Sequence, residues 1–81
     1  MDKALSLFGA VIGEMRRSAG FSQEALAERA GVHRTYVSQL ERGLKSPTLA
    51  VLIKLAEALD TQPSKILLSL ERSLNEIQSS P

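Results

Sequence analysis

Residues 22–43 read Ser-Gln-Glu-Ala-Leu-Ala-Glu-Arg-Ala-Gly-Val-His-Arg-Thr-Tyr-Val-Ser-Gln-Leu-Glu-Arg-Gly, and this stretch decides the fold. It predicts two short helices joined at Gly31. Ala27 is small where the two helices must approach, Gly31 takes the positive φ of a tight turn at little cost, and Val37 is a branched anchor for the inner face of the second helix. The pattern is typical of a helix-turn-helix, which lays its second helix in the major groove of DNA.

Length and composition limit the remaining possibilities. The 81 residues predict one domain over 1–81, with the motif at about 22–43. The absence of cysteine excludes disulfides and thiolate metal sites, and a single histidine among scattered acids argues against structural zinc, so we expect no metal and no cofactor. The longest apolar run, Leu49–Ile53, is too short to cross a bilayer, and no export signal is visible. We therefore expect a cytoplasmic protein without a membrane partner.

Charge is unevenly distributed along the chain, although the net charge is only +1. Residues 29–54 carry five basic side chains against one acidic side chain, whereas residues 1–28 have a net charge of −1 and residues 55–81 a net charge of −2. A basic middle segment matches the electrostatic footprint of a nucleic-acid-binding face. A chance cluster on a solvated surface explains the same charges equally well.

Hydrophobic periodicity and helix-terminal residues predict five helices and no strand, at about 3–18, 23–30, 34–41, 49–59 and 63–78. Ser22 and Thr48 are suitable N-caps for the second and fourth helices. Gly9 and Gly13 weaken the first helix unless they permit a close contact with another helix. The apolar faces of the first and fourth helices are expected to contain Phe8, Ile12, Met15, Ala19, Leu49, Leu52, Leu55, Ala56 and Leu59.

Several segments of the chain resemble the Cro/C1 (XRE) repressor family of helix-turn-helix proteins. They are Gly20–Ala27, Glu41–Gly43, the linker Lys45–Leu49, and Leu55–Leu59. The similarity extends over about residues 8–70. It implies an all-α, five-helix fold like that of lambda repressor, here with a fifth helix extended at the C-terminus.

Within that family, Arg34–Ser38 followed by Leu40–Gly43 is most similar to the controller proteins of restriction–modification systems. This implies a homodimer that binds a palindromic operator on double-stranded DNA and regulates its own promoter, with RNA polymerase as a further candidate partner and no small-molecule ligand. The alternatives are a phage-type repressor, an antitoxin, and a protein-interaction module that does not bind DNA. Catalysis is disfavoured, because the sequence offers no nucleophile–base pair, phosphate loop or metal set.

The start of the predicted recognition helix supplies the candidate base contacts. Arg34 is expected to pair with guanine through two hydrogen bonds, although an arginine there can also contact phosphate. Thr35 can contact a base, or it can form only a local hydrogen bond in the first turn of the helix. Ser38 can contact a base, or its small size can serve only to let the helix approach the DNA closely. Gln39 matches a base-contact position of the family. The predicted base-contacting set is Arg34, Thr35, Ser38 and Gln39.

Residues flanking the recognition helix are candidates for contact with the DNA backbone, which positions a protein without reading sequence. By resemblance, Gln23 contacts phosphate and braces the recognition helix. The ring of Tyr36 can instead pack on the edge of the domain. The predicted backbone-contacting set is Gln23, His33, Tyr36, Arg42, Lys45 and Ser46. By the same resemblance, Arg16 and Glu41 form an internal salt bridge.

Residues 50–78 carry more apolar side chains than a small core requires, which predicts a dimer interface. The candidates are Val51, Ile53, Leu67, Leu70, Leu74 and Ile77. Coverage of the first helix is the alternative role, and it is favoured for Leu67 and Leu70. For Leu74 and Ile77, a helix of the partner is favoured.

Overall fold

Five α-helices joined by short turns make up the chain in a computed structural model that describes residues 2–79, with side chains described to residue 77. The helices are α1 (Lys3–Ser18), α2 (Gln23–Ala30), α3 (Arg34–Glu41), α4 (Leu49–Ala58) and α5 (Pro63–Ser79). No strand occurs within residues 2–79. The all-α, five-helix prediction is confirmed, and α4 ends one residue earlier than expected. Residues 1, 80 and 81 of the predicted domain lie outside the described part.

Side-chain caps fix where the helices begin. The Ser22 hydroxyl accepts the N–H of Ala25 at 3.0 Å, and the Thr48 hydroxyl accepts the N–H of Val51 at 3.1 Å. Both predicted caps are therefore confirmed. His33 holds the corresponding position before α3 without a side-chain hydrogen bond to the helix.

The core lies where α1, α2, α3, α4 and the first half of α5 meet. Its fully buried large side chains are Ile12, Leu26, Val37, Leu40, Leu55 and Ile66. Two residues assigned to apolar faces by periodicity do not belong to it. Leu49 is 72% exposed because it is the first residue of α4, before the helix reaches the core, and Ala19 is exposed because it follows the end of α1.

α1 and α3 touch backbone to backbone at Gly9. A Cβ atom added there would lie 2.5 Å from the Glu41 carbonyl oxygen and closer still to that of Leu40. The hypothesis that a glycine of α1 permits a close helix contact is therefore confirmed at Gly9. At Gly13 the nearest atoms are side-chain ends of Arg17 and Glu41, both at 3.2 Å, which can move aside.

The outer surfaces of α4 and α5 expose most of the large apolar side chains that lie outside the core. They are Leu49, Ile53, Leu67, Leu68 and Ile77, with Leu44 in the α3–α4 loop. An apolar groove of about 340 Å³ lies beside them, between the start of α1, the start of α4 and α5. None of the helices in the described part of the chain has both the length and the apolar character that crossing a membrane requires.

Candidate nucleic-acid interface

The turn between α2 and α3 has the geometry that the motif requires. Gly31 adopts the left-handed conformation, with φ 70° and ψ 33°. The N–H of Val32 then donates to the Ala27 carbonyl at 3.0 Å, which turns Val32 back against the core. Ala27 is itself buried, so a larger side chain there would push the two helices apart. Local sequence therefore sets the angle at which α3 leaves α2.

α3 has one face in the core and one in solvent. Val37 and Leu40 are completely buried, whereas Arg34 and Thr35 are exposed at the N-terminus of the helix. Ser38 and Gln39, one turn further along, are half-buried. The four candidate base-contacting residues thus share one helix. The two most exposed of them, Arg34 and Thr35, lie at the end of the helix that would enter a groove first.

The other end of α3 is held firmly against α1. Besides the contact at Gly9, Gly43 follows α3 with φ 74°, and a Cβ atom there would lie 2.9 Å from the Cα of Ser6. No residue with a side chain fits this position without movement of backbone. The C-terminal end of α3 is therefore fixed while its N-terminal end projects into solvent.

The carboxylate of Glu41 accepts three hydrogen bonds at this fixed end. Arg16 donates from Nε at 2.7 Å and from Nη2 at 3.1 Å, and Gln23 donates from Nε2 at 3.1 Å. The two charged side chains are only 12% and 9% exposed, respectively. Hydrogen bonding to Glu41 raises the pKa of Arg16, so the guanidinium stays charged at any pH used in practice. This is the salt bridge that the family resemblance implied.

Gln23 has a position suited to a brace. It begins α2, and its bond to Glu41 ties that end of α2 to the end of α3. It also lines a polar cleft of about 320 Å³ together with Arg16, Ser22, Glu24 and Arg34. Gln23 and the leading base-contact candidate, Arg34, therefore lie on the same cleft.

The flanking candidates differ in how much they project. His33, Arg42, Lys45 and Ser46 are exposed. Tyr36 is half-buried, and its ring packs against the core. Packing against the core, one of the two interpretations of Tyr36, therefore accounts for part of its side chain.

One cation in the basic segment has a structural role that sequence reasoning missed. The Arg29 Nε donates to the carbonyl oxygen of Ala58 at 2.9 Å, and its guanidinium carbon lies 4.6 Å from the centre of the Phe21 ring. Counting charge over residues 29–54 treated Arg29 as part of a DNA-binding face. Its partner is 29 positions away in sequence, so no local signal could have revealed the contact.

The residues proposed for a dimer interface divide into two groups. Val51 and Leu70 pack partly against the core of their own chain, and Leu74 is half-buried. Ile53, Leu67 and Ile77 are exposed, at 41%, 46% and 40%. The exposure of Leu67 does not fit the interpretation in which it merely covers α1. Among residues 2–79, no three acidic, histidine or cysteine side chains are grouped so that they could hold a metal ion.

Comparison with known proteins places these features among DNA-binding regulators. The helix-turn-helix family profile matches residues 12–66. The control protein C.SmaI of Serratia marcescens is 48% identical over 52 residues, a match that covers 64% of this chain and 62% of that protein. The control protein C.BamHI of Bacillus amyloliquefaciens is 40% identical over 62 residues, covering 75% of this chain and 76% of that protein. The chain thus spans less than two thirds of the Serratia protein.

A solved structure gives the same result at the level of the fold. The restriction-modification controller protein C.AhdI from Aeromonas hydrophila superimposes with a TM-score of 0.75 and is 42% identical. The superposition covers 76% of this chain and 94% of that protein. The expected similarity to restriction–modification controller proteins is therefore confirmed.

Proposed function

This chain belongs to the helix-turn-helix family, and on that premise we propose that it is a sequence-specific, DNA-binding transcriptional regulator of the restriction–modification controller type. The controller type is supported by the similarity of the chain to the control proteins C.SmaI and C.BamHI and to the controller protein C.AhdI. The observation that carries DNA binding is the asymmetry of α3: its C-terminal end is fixed to α1, and its N-terminal end presents Arg34 and Thr35 to solvent. A rigid helix with a free, polar, cationic N-terminus suits insertion into the major groove.

Base reading is assigned to the outer face of α3. A guanidinium at Arg34 can donate to both O6 and N7 of guanine, which discriminates against other bases by about 1–3 kcal/mol. Thr35, Ser38 and Gln39 extend the same face and complete the set. Loss of any of these residues should change which sequences are bound.

Contact with the DNA backbone is assigned to the residues around α3. His33, Arg42, Lys45 and Ser46 are exposed on the flanks, and Gln23 begins α2 beside Arg34. Contacts of this kind add affinity for any DNA and make binding depend on salt. Tyr36 contributes through the part of its side chain that its core packing leaves free.

The protein acts as a homodimer, because one helix-turn-helix reads only a few base pairs. The dimerisation region is about 50–78, and the exposed Ile53, Leu67 and Ile77 are its centre, with Leu74 beside them. Two copies related by a two-fold axis require a palindromic operator whose half-sites lie about one helical turn, ~10–10.5 bp, apart. Occupancy then depends on protein concentration, which is the basis for regulation of its own promoter in the cytoplasm, with RNA polymerase as the further partner.

Replacement of Arg34 by alanine tests the assignment. An operator is first selected from a pool of random duplexes by the unaltered protein, and binding is then measured by mobility shift on that operator and on a scrambled duplex. Arg34→Ala should lose about tenfold or more on the operator while changing little on the scrambled duplex. Arg17→Ala removes the same charge from an exposed site on α1 and should preserve the preference. Normal selectivity in Arg34→Ala contradicts the base-reading role.

A further inference from the structure

A continuous series of contacts joins the end of α3 to the end of α4. Glu41 pairs with Arg16, and the Arg16 Nη1 donates to the carbonyl oxygen of Phe21 at 2.9 Å. The guanidinium of Arg29 lies over the ring of the same Phe21, and its Nε donates to the Ala58 carbonyl. The series crosses α3, α1, the α1–α2 loop, α2 and α4. Arg29 is the link through which it reaches α4.

The last link satisfies a group that α4 cannot satisfy by itself. The final carbonyls of a helix have no partner within that helix. Here the carbonyls of residues 55–57 accept N–H groups from the turn that follows, whereas that of Ala58 accepts from Arg29. A positive charge at a helix C-terminus also interacts favourably with the helix dipole. Arg29 thus holds α2 to one defined point on α4.

This link joins the two halves of the proposed function. α2 is part of the DNA-reading unit, and α4 leads directly into α5, whose exposed apolar side chains are assigned to the dimer. The buried contacts between α2 and α4 are apolar and therefore non-directional. The hydrogen bond of Arg29 is directional, so it adds an orientation-dependent contact between the reading unit and α4.

We propose that Arg29 is a positioning residue that fixes the separation of the two recognition helices in the dimer and so selects the spacing between half-sites. The proposal rests on the proposed homodimer. Inserting one base pair moves a half-site by about 3.4 Å and rotates it by roughly 34°. A rigid dimer cannot follow that change without losing base contacts, whereas a dimer with a loosened α2–α4 contact can.

The test compares half-site spacings. From the selected operator, three further duplexes are prepared: one with a base pair inserted at the centre, one with a base pair removed, and one with a single half-site. The unaltered protein should bind each spacing variant about tenfold or more weakly than the operator. For Arg29→Met the loss of affinity on each spacing variant should be less than about threefold. Its affinity for the single half-site should stay within about twofold of that of the unaltered protein. Arg17→Met, which removes an exposed arginine of α1, should keep the full penalty.

Arg29→Lys keeps the charge and the aliphatic stem but lacks the planar guanidinium and its Nε. Its loss of affinity on the spacing variants should lie between those of the unaltered protein and Arg29→Met. Arg29→Lys replaces Arg29→Met in the test if circular dichroism shows that Arg29→Met does not fold. A folded Arg29 variant with the full spacing penalty overturns the proposal and leaves the proposed function intact. If the unaltered protein binds two half-sites no better than one at any spacing, both the homodimer and the role of Arg29 are wrong.

Discussion

Replacing Glu41 with alanine should be among the most damaging single changes in this protein. The substitution removes the acceptor of three hydrogen bonds, two from Arg16 and one from Gln23. Arg16, whose side chain is 12% exposed when Glu41 is present, then keeps the Phe21 carbonyl as its remaining hydrogen-bond partner. The charge remains because hydrogen bonding and burial do not bring an arginine pKa near neutrality.

The expected cost follows from this environment. Removing one partner of a buried ion pair destabilises a protein by about 3–5 kcal/mol, since the remaining charge has lost its compensation. A domain of 81 residues has a free energy of unfolding of roughly 4–12 kcal/mol in total. The change therefore removes a large share of the stability, and the melting temperature should fall by at least about 12 °C.

The assay is equilibrium unfolding in urea, followed by circular dichroism, with two matched variants. Glu41→Gln keeps the shape of the side chain and one acceptor oxygen, so it should lower the free energy of unfolding less than Glu41→Ala does. The double variant Arg16→Met with Glu41→Leu removes both charges and fills the space with apolar atoms, and it should be clearly more stable than Glu41→Ala. A loss below about 1 kcal/mol for Glu41→Ala, or a double variant no more stable than it, refutes the reasoning from an uncompensated charge.

Three further predictions concern packing, turns and caps. Gly9→Ala should lower the free energy of unfolding by more than about 2 kcal/mol, because backbone carbonyls occupy the site, whereas Gly13→Ala should change it by under about 1 kcal/mol. Equal effects in urea titrations would contradict the close α1–α3 contact. A Cβ atom at Gly31 meets open space, so Gly31→Ala should lower the free energy of unfolding by about 1–2 kcal/mol because of its positive φ alone. Gly43→Ala should lower the melting temperature further than Gly31→Ala does, because its Cβ atom would also collide with Ser6. Ser22→Ala should lose about 1 kcal/mol and speed amide exchange in the first turn of α2, and unchanged exchange there would argue against the cap.

Sequence predicted those parts of the fold that are decided locally. The caps Ser22 and Thr48 and the turn at Gly31 lie where they were expected, because each depends on the conformation of a few adjacent residues. Periodicity also placed Leu52 and Leu55 on the apolar face of α4, and both are buried. The same periodicity failed at Leu49, since a repeat of apolar residues does not reveal where a helix leaves the core.

Contacts between distant segments were harder to predict. The Gln23–Glu41 bond joins residues 18 apart, and the resemblance suggested a brace without naming this partner. The Arg29–Ala58 bond spans 29 residues, and its acceptor is a backbone carbonyl that any residue type would supply. Neither the residue types nor the charges in a single sequence show which backbone carbonyl will accept such a bond. Only the packing of α2 against α4 creates the contact.

Arginines show why a count of charges overstates a DNA-binding face. Arg16 and Arg29 donate to groups of their own chain, whereas Arg34 and Arg42 project into solvent. All four look alike in composition, and Arg29 raises the net charge of the segment in which the footprint was sought. The structure separates them by what their guanidinium groups contact. Arg16 and Arg29 instead hold α3 and α2 in place, which supports the proposed presentation of Arg34 to DNA.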